Sequence, residues 1–216
     1  EKVWKCTFLP VVALYFPKWA ISDFDNFLPV PYNGEETKIR SVYTMKYDVI
    51  AYCWNDALAG FTQEDASRLT HVNLAFGLIK DGLLDLHLLK YLHLLPKLRE
   101  WNPEMKIVLS VGGWGADGFS DMAMTEEGRR NFARSCLDAV EKYNLDGIDI
   151  DWEYPCNDAA GIGADPRDKE NFTALLATLR EYLGKKCIVS IAVGASQRCI
   201  ADTQMDKVAE IVNYVQ

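Results

Sequence analysis

From residue 47 onward the chain alternates short apolar runs with amphipathic stretches, and no other property of the sequence narrows the fold as much. Runs that read as β-strands cover 47–54, 71–79, 106–113, 147–154 and 187–194. Between them the spacing predicts helices. A short one is opened by Thr62, with Asp65 three residues later. A leucine-rich one covers 86–101 and ends before Pro103. Another, over 125–143, puts Phe132, Cys136, Val140 and Tyr143 on one face, one over 168–183 stops at Gly184, and a shorter one covers 206–212. Strands that alternate with helices pair in parallel through right-handed crossovers. No residue-level repeat accompanies the rhythm, which argues against a solenoid. An open doubly wound sheet and a (β/α)8 barrel remain.

The glycines choose between them. Gly112-Gly113-Trp114 closes the run 106–113, at the C-terminal strand end where a barrel carries its site loops. The residues after it, Gly115-Ala-Asp-Gly-Phe, lack the remaining glycines of a dinucleotide fingerprint. The expected fold is therefore α/β, a (β/α)8 TIM barrel. A barrel typically takes about 250 residues. This chain has 216, with 212–216 reading as the opening of a sixth strand, so the barrel is expected to be incomplete, with about five βα units.

Residues 1–44 differ from the rest. They hold Pro10, Pro17, Pro29 and Pro31, a Tyr-Asn-Gly turn at 32–34, and no sustained period. Met45-Lys46 stands immediately before the first strand. Met45 is thus the expected natural start, with 1–44 an N-terminal extension that is not native and 45–216 the N-terminal portion of a barrel catalytic domain. The competing reading is an ordinary N-terminal arm. A start at Met45 implies a cytoplasmic protein. No run reaches the roughly 18 apolar residues of a membrane span, and 8–17 is too short and too poorly flanked for a signal peptide. The net charge of −8, with no Lys/Arg-rich run, argues against a nucleic-acid surface. Six cysteines lie scattered without metal-ligand spacing. Cys53, Cys136 and Cys187 read as buried free thiols, while Cys156 and Cys199 leave the choice between pairing and free thiols open. No metal or other cofactor is expected.

The run 147–154 carries the chemistry. Ile148, Ile150 and Trp152 share one strand parity, and Asp149, Asp151 and Glu153 share the other. Side chains on one face of a strand repeat about every 6–7 Å. Burying a row of carboxylates is costly unless they find partners or share protons, so a site explains the row better than stability does. A calcium loop needs Gly at its sixth position, where this chain has Tyr154, and the context is a strand. A transferase Asp-x-Asp metal site leaves Glu153 unexplained. His71, His87 and His93 form no constellation and read as structural.

Asp146-Gly-Ile-Asp149-Ile-Asp151-Trp-Glu153 resembles the DxxDxDxE signature of family 18 glycoside hydrolases, the chitinase family, and Ser110-Val-Gly-Gly-Trp114 resembles the family's SxGG element. Further similarity runs through 73–77, 165–176 and 191–195, so the resemblance covers about 47–216. It implies hydrolysis of β-1,4 bonds after N-acetylglucosamine, with retention, by a substrate-assisted route. The expected roles are Glu153 as proton donor, Asp151 orienting the substrate's acetamido group, and Asp149, one step deeper, sharing a proton with Asp151. Asp146, of opposite parity, is expected to be structural. Tyr52, Phe76, Gly112, Gly113, Trp114 and Tyr154 are the expected substrate-binding residues. For Tyr52, Phe76 and Trp114 a place in the core is the competing reading, and the glycines fit close backbone approach or a tight turn. The expected partner is chitin or an N-acetylglucosamine oligosaccharide, with N-glycan and peptidoglycan-derived glycans open. The alternatives are a non-hydrolytic chitin-binding relative, against which the acid at Glu153 argues, and a fragment inactive through truncation; if Met45 is not the start, the resemblance implies a secreted protein. The resemblance places two further pocket elements, a Met-x-Tyr-Asp segment and a tryptophan on strand eight, after Gln216.

Overall fold

The computed structural model describes residues 47–216, so the expectations for 1–44 and Met45 lie outside the described residues. The strands are β1 (Ile50–Trp54), β2 (His71–Lys80), β3 (Leu83–Asp85), β4 (Lys106–Gly112), β5 (Gly147–Asp151), β6 (Ile188–Ile191) and β7 (Tyr214–Val215). All but β3 pair in parallel, in the spatial order β1-β2-β4-β5-β6-β7. Strand β3 folds back antiparallel on the end of β2. A doubly wound sheet reverses direction at a switch point. Here spatial order follows chain order throughout, as in a barrel wall.

The sheet is strongly curled. Asn73 on β2 donates from Nδ2 to Gln216 Oε1 at 3.2 Å, although four strand spacings, roughly 19 Å in a flat sheet, separate their strands. Tyr214 on β7 likewise donates to Asp48 Oδ2, just ahead of β1, at 3.0 Å. The described residues thus form five βα units of a barrel and the opening of a sixth strand.

Helices cover the outside: α1 (Asn55–Leu58), α2 (Gln63–Arg68), α3 (Leu95–Trp101), α4 (Phe119–Ala123), α5 (Glu126–Tyr143), α6 (Asp168–Leu183), α7 (Gln197–Ala201) and α8 (Met205–Ile211). Thr62 and Asp65 form a reciprocal capping box on α2. Thr125 caps α5 by accepting from Gly128 N at 3.0 Å, and α6 ends at Gly184, whose φ of 71° suits glycine.

Register explains why one face of each strand is apolar and the other polar. Leu109, Ile148 and Val189 align across β4, β5 and β6, and so do Ser110, Asp149 and Ser190. The first set packs outward with Phe132 and Cys136 of α5 and Phe172, Leu175, Leu176 and Leu179 of α6 in one continuous core. Burying each of Ile148 and Ile150 completely is worth roughly 1.5–3 kcal/mol. The second set faces the barrel interior.

Several expectations need correction. The helix predicted over 86–101 is α3 alone, preceded by a 3-10 turn at Leu92–Leu94. Asn55 Oδ1 takes the backbone N–H of Lys90 (2.6 Å) and Tyr91 (3.4 Å), which holds this stretch out of a helix while Leu89 and Leu92 still bury. The leucine spacing therefore recorded burial rather than helix. The run 147–154 leaves the sheet after Asp151, and Cys187 lies just before β6, half-buried rather than in the core. Cys53 and Cys136 are buried, and Cys136, Cys156 and Cys199 are free thiols.

Candidate active site

The site is built on the tip of β5. Asp149 is fully buried and both of its oxygens are occupied. Oδ2 accepts from Tyr52 Oη (2.9 Å) and Ser110 Oγ (2.8 Å); Oδ1 accepts from Ser190 Oγ (2.7 Å) and Gln216 Nε2 (3.0 Å). Asn73 extends the network through Gln216. Strands β1, β2, β4, β5 and β6, with Gln216 just after β7, each contribute one polar side chain to this interior layer. Burial pushes Asp149 above the ordinary carboxylate range, and hydrogen bonds from Ser190, Ser110 and Tyr52 oppose that rise. The same burial, reinforced by the Asp149 charge, raises Tyr52 far above its usual value, so it stays a phenol and a donor.

The row climbs toward solvent. Asp151 is 7 % exposed and Glu153 is half-buried. Burial, then the neighbouring charges of Glu153 and Asp149, push Asp151 up to about 7. The shared proton expected between Asp149 and Asp151 takes a different form: the oxygens of Asp149 are taken up by its four donors, and its coupling to Asp151 is electrostatic. Burial, then the adjacent Glu153 carboxylate, raises Tyr154 to about 12. Trp152 turns the other way, stacked on Phe119 at 5.2 Å and edge-on to Phe172 at 5.7 Å, so the alternation of faces persists past the end of the strand.

Asp151, Glu153 and Tyr154 line a cavity of about 320 Å³ with Tyr52, Trp54, Phe76, Ala192, Val193 and Gln216. A larger cleft of about 790 Å³ shares Trp54 and Phe76 as a common wall and runs along Gly112–Gly118, past Leu88 and Lys90. The chemistry belongs to the smaller cavity, because the larger one holds none of the three acids. Phe76 lies 6.1 Å from the Tyr52 ring and 5.1 Å edge-on from Trp54. Trp114 is 66 % exposed and packs its ring 6.4 Å from Tyr154. An aromatic that open to water is not core, while Tyr52 and Phe76 are half-buried in the cavity wall.

Space requires glycine at 112, and at 113 a φ of 92° and a tight approach to Phe76 favour it. A Cβ on Gly112 would stand 2.0 Å from the Asp151 carbonyl oxygen, and one on Gly113 would stand 3.0 Å from the Phe76 ring. Gly113 N in turn donates to Asp151 O at 2.8 Å. The β4 tip therefore lies directly against the backbone that carries the acids, which only glycine permits.

Asp146 stands at the opposite end of β5. It accepts from Arg99 Nη2 (2.6 Å) and Ile107 N (2.8 Å), a structural tie away from the cavity. His71 is buried beside Thr70 and Tyr214, and burial lowers its pKa. His87 pairs with Asp85 and His93 contacts Lys90 O. Among the described residues no three His, Cys, Asp or Glu side chains are grouped to hold a metal ion, and no helix is long and apolar enough to cross a membrane. Of the nine predicted site residues, Tyr52, Phe76, Asp151, Glu153 and Tyr154 line the smaller cavity, Gly112, Gly113 and Trp114 line the adjoining cleft, and Asp149 lies buried in the polar layer. Asn73, Ser190, Gln216 and Trp54 were not predicted. Asn73 and Ser190 carried a signal, being single polar residues inside otherwise apolar strand runs on the parity that faces Asp149.

Comparison with known proteins agrees with this arrangement. The family model described as glycosyl hydrolases family 18 matches residues 14–216, so the likeness extends into the first 44 residues, where the motifs do not reach. Chitinase A1 of Niallia circulans is 44% identical over 130 residues, covering 56% of this chain and 19% of that protein. Chitotriosidase-1 of Mus musculus is 34% identical over 132 residues, 56% of this chain and 28% of that protein. A family 18 N-acetylglucosaminidase from Paenibacillus barengoltzii superposes with a TM-score of 0.75 at 45% identity, over 77% of this chain and 51% of that one. These matches span about half or less of each relative's length.

Proposed function

We propose that this chain, which belongs to the glycosyl hydrolases family 18, carries the acid half of a retaining, substrate-assisted glycosidase acting on β-1,4 bonds after N-acetylglucosamine. The observation that carries the reading is the graded row on β5: a buried, four-donor Asp149, then Asp151 with its pKa near 7, then Glu153 at the cavity.

In this reading Glu153 gives its proton to the glycosidic oxygen as the bond from C1 to that oxygen breaks. The substrate's own acetamido oxygen forms the new bond to C1, so no enzyme nucleophile is used, as in the substrate-assisted exceptions to the two-carboxylate scheme. Asp151 sits between Glu153 and Asp149 and is placed to hold the acetamido N–H and to stabilise the cation that develops. The polar layer fixes Asp149 below it, so that the field on Asp151 is preorganised before reaction. Water then opens the ring intermediate from the face the leaving group vacated, with Glu153 as base. Tyr52, Phe76 and Trp54 wall the sugar site, and the cleft along Gly112–Gly118 with Trp114 takes further sugars. The named relatives support chitin or its oligosaccharides as the substrate class. Hydrolysis of chitohexaose by the full-length protein, followed by proton NMR, tests the route: the β-anomer should appear first and mutarotate later. An α-anomer as first product would refute substrate assistance.

A further inference from the structure

Outside the catalytic row, Asp168 is the fully buried carboxylate among the described residues. It stands in the first turn of α6, at the far end of the 152–167 segment that carries Glu153 and Tyr154. Its partners come from α4 and from both ends of that segment. Oδ1 accepts from Ser120 Oγ in α4 at 2.7 Å; Oδ2 accepts from Asp165 N at 2.7 Å and from Cys156 N at 3.3 Å. Cys156 is three residues past Glu153 and has a φ of 60°, a left-handed turn that a non-glycine residue adopts only when its surroundings hold it there.

The cost of burying such a group argues for a positional use. A carboxylate held only by neutral donors is expensive compared with an apolar side chain of similar size. What it supplies is direction: two backbone donors from the 152–167 segment and one hydroxyl from α4 converge on two oxygens. Ser120 extends the tie to the neighbouring rim, because α4 follows the Gly112–Gly118 loop directly. Asp117, in that loop, makes a second bridge by accepting from Gly163 N at 2.9 Å. The two rim loops are thereby joined at two points, one buried at Ser120 and one exposed at Asp117.

We infer that Asp168 is a positioning residue for the proton donor, fixing the turn at Cys156 and with it the place of Glu153 over the cavity, and that Ser120 locks this turn to the adjacent rim. The inference rests on the glycosidase reading above. Asp168 touches no substrate, so its effect should fall on the chemical step: misplacing a reacting group by about 1 Å can cost on the order of 100-fold in rate.

The test is steady-state cleavage of chito-oligosaccharides by the full-length protein and its Asp168→Ala, Asp168→Asn and Ser120→Ala variants, well below their melting temperatures. Asp168→Ala should lower kcat by roughly 10- to 100-fold with KM within about twofold. Asp168→Asn keeps a carbonyl oxygen for the two backbone donors and offers an N–H to Ser120, so it should recover kcat to within about threefold of wild type. Ser120→Ala should lower kcat severalfold at unchanged KM. A purely structural role predicts instead that the folded fraction of each variant turns over like wild type, and kcat within about twofold of wild type in both Asp168→Ala and Ser120→Ala overturns the inference. If Asp168→Ala does not fold, Ser120→Ala decides alone: lowered kcat at unchanged KM supports the inference, and unchanged kcat overturns it. A folded wild-type protein that cleaves no chito-oligosaccharide would instead refute the glycosidase reading on which the inference stands.

Discussion

Replacing Asp151 with Asn should stabilise the protein in alkaline solution and leave it unchanged in acid. In the folded chain Asp151 keeps its proton up to about pH 7, whereas its ordinary value is 3.8. Between those values the folded state binds more protons than the unfolded state, so this group's stabilising contribution is complete below 3.8 and is lost as pH rises toward 7. The gap corresponds to on the order of 4 kcal/mol. Asn has the same shape and carries no charge at any pH, so it avoids this loss. Urea unfolding of the full-length protein at pH 4, 6 and 8 should show the variant within about 1 kcal/mol of wild type at pH 4 and about 2–4 kcal/mol more stable at pH 8. Differences taken between the two proteins cancel the other titrating groups, apart from Glu153 and Asp149, which couple to Asp151 directly. A stability gap that is constant with pH, or largest at pH 4, would refute the assignment of the raised pKa to Asp151.

Two further substitutions probe the walls of the site. Gly112→Ala puts a methyl group 2.0 Å from the Asp151 carbonyl and should destabilise by about 3 kcal/mol or more. At roughly 2–4 °C per kcal/mol, thermal melting should fall by at least about 6 °C, and an unchanged Tm would mean that β4 and β5 are not in close contact. Trp114→Ala removes a side chain that is 66 % exposed, so Tm should stay within about 2 °C. Calorimetric titration with chitohexaose should nevertheless show affinity weakened about tenfold, equivalent to about 1.4 kcal/mol of lost stacking.

The parts of this molecule that could be read in its sequence are those set by a period. Alternation in β5 separated Ile148 and Ile150 from Asp149 and Asp151, and register with β4 and β6 carries the same division across three strands. The helix starts at Thr62 and Thr125 and the helix end at Gly184 were legible because capping is local chemistry. The stretch 86–94 was misread because its leucines bury at helical spacing while Asn55, more than thirty residues away in sequence, claims its backbone N–H groups. A tertiary hydrogen bond of that kind leaves no local trace. Trp54 was passed over because the end of a strand run gives no sign of whether an aromatic turns into the core or, as here, into a cavity. The donors around Asp149 were partly legible. Ser110 and Ser190 each interrupt an apolar run with one polar residue, a buried carboxylate requires such partners, and Asn73 does the same on β2 to hold Gln216. Their convergence depends on curl, which sequence period does not encode.

The account stands most directly on Glu153. In the full-length protein, Glu153→Gln keeps the shape of the side chain at the cavity and removes its acidic proton. A general acid contributes about 100- to 10,000-fold, so kcat on chito-oligosaccharides should fall by at least about 100-fold, while Kd for the same oligosaccharide stays within about threefold of wild type. Turnover equal to wild type in that variant would contradict the assignment of the proton donor and, with it, the division of labour along β5.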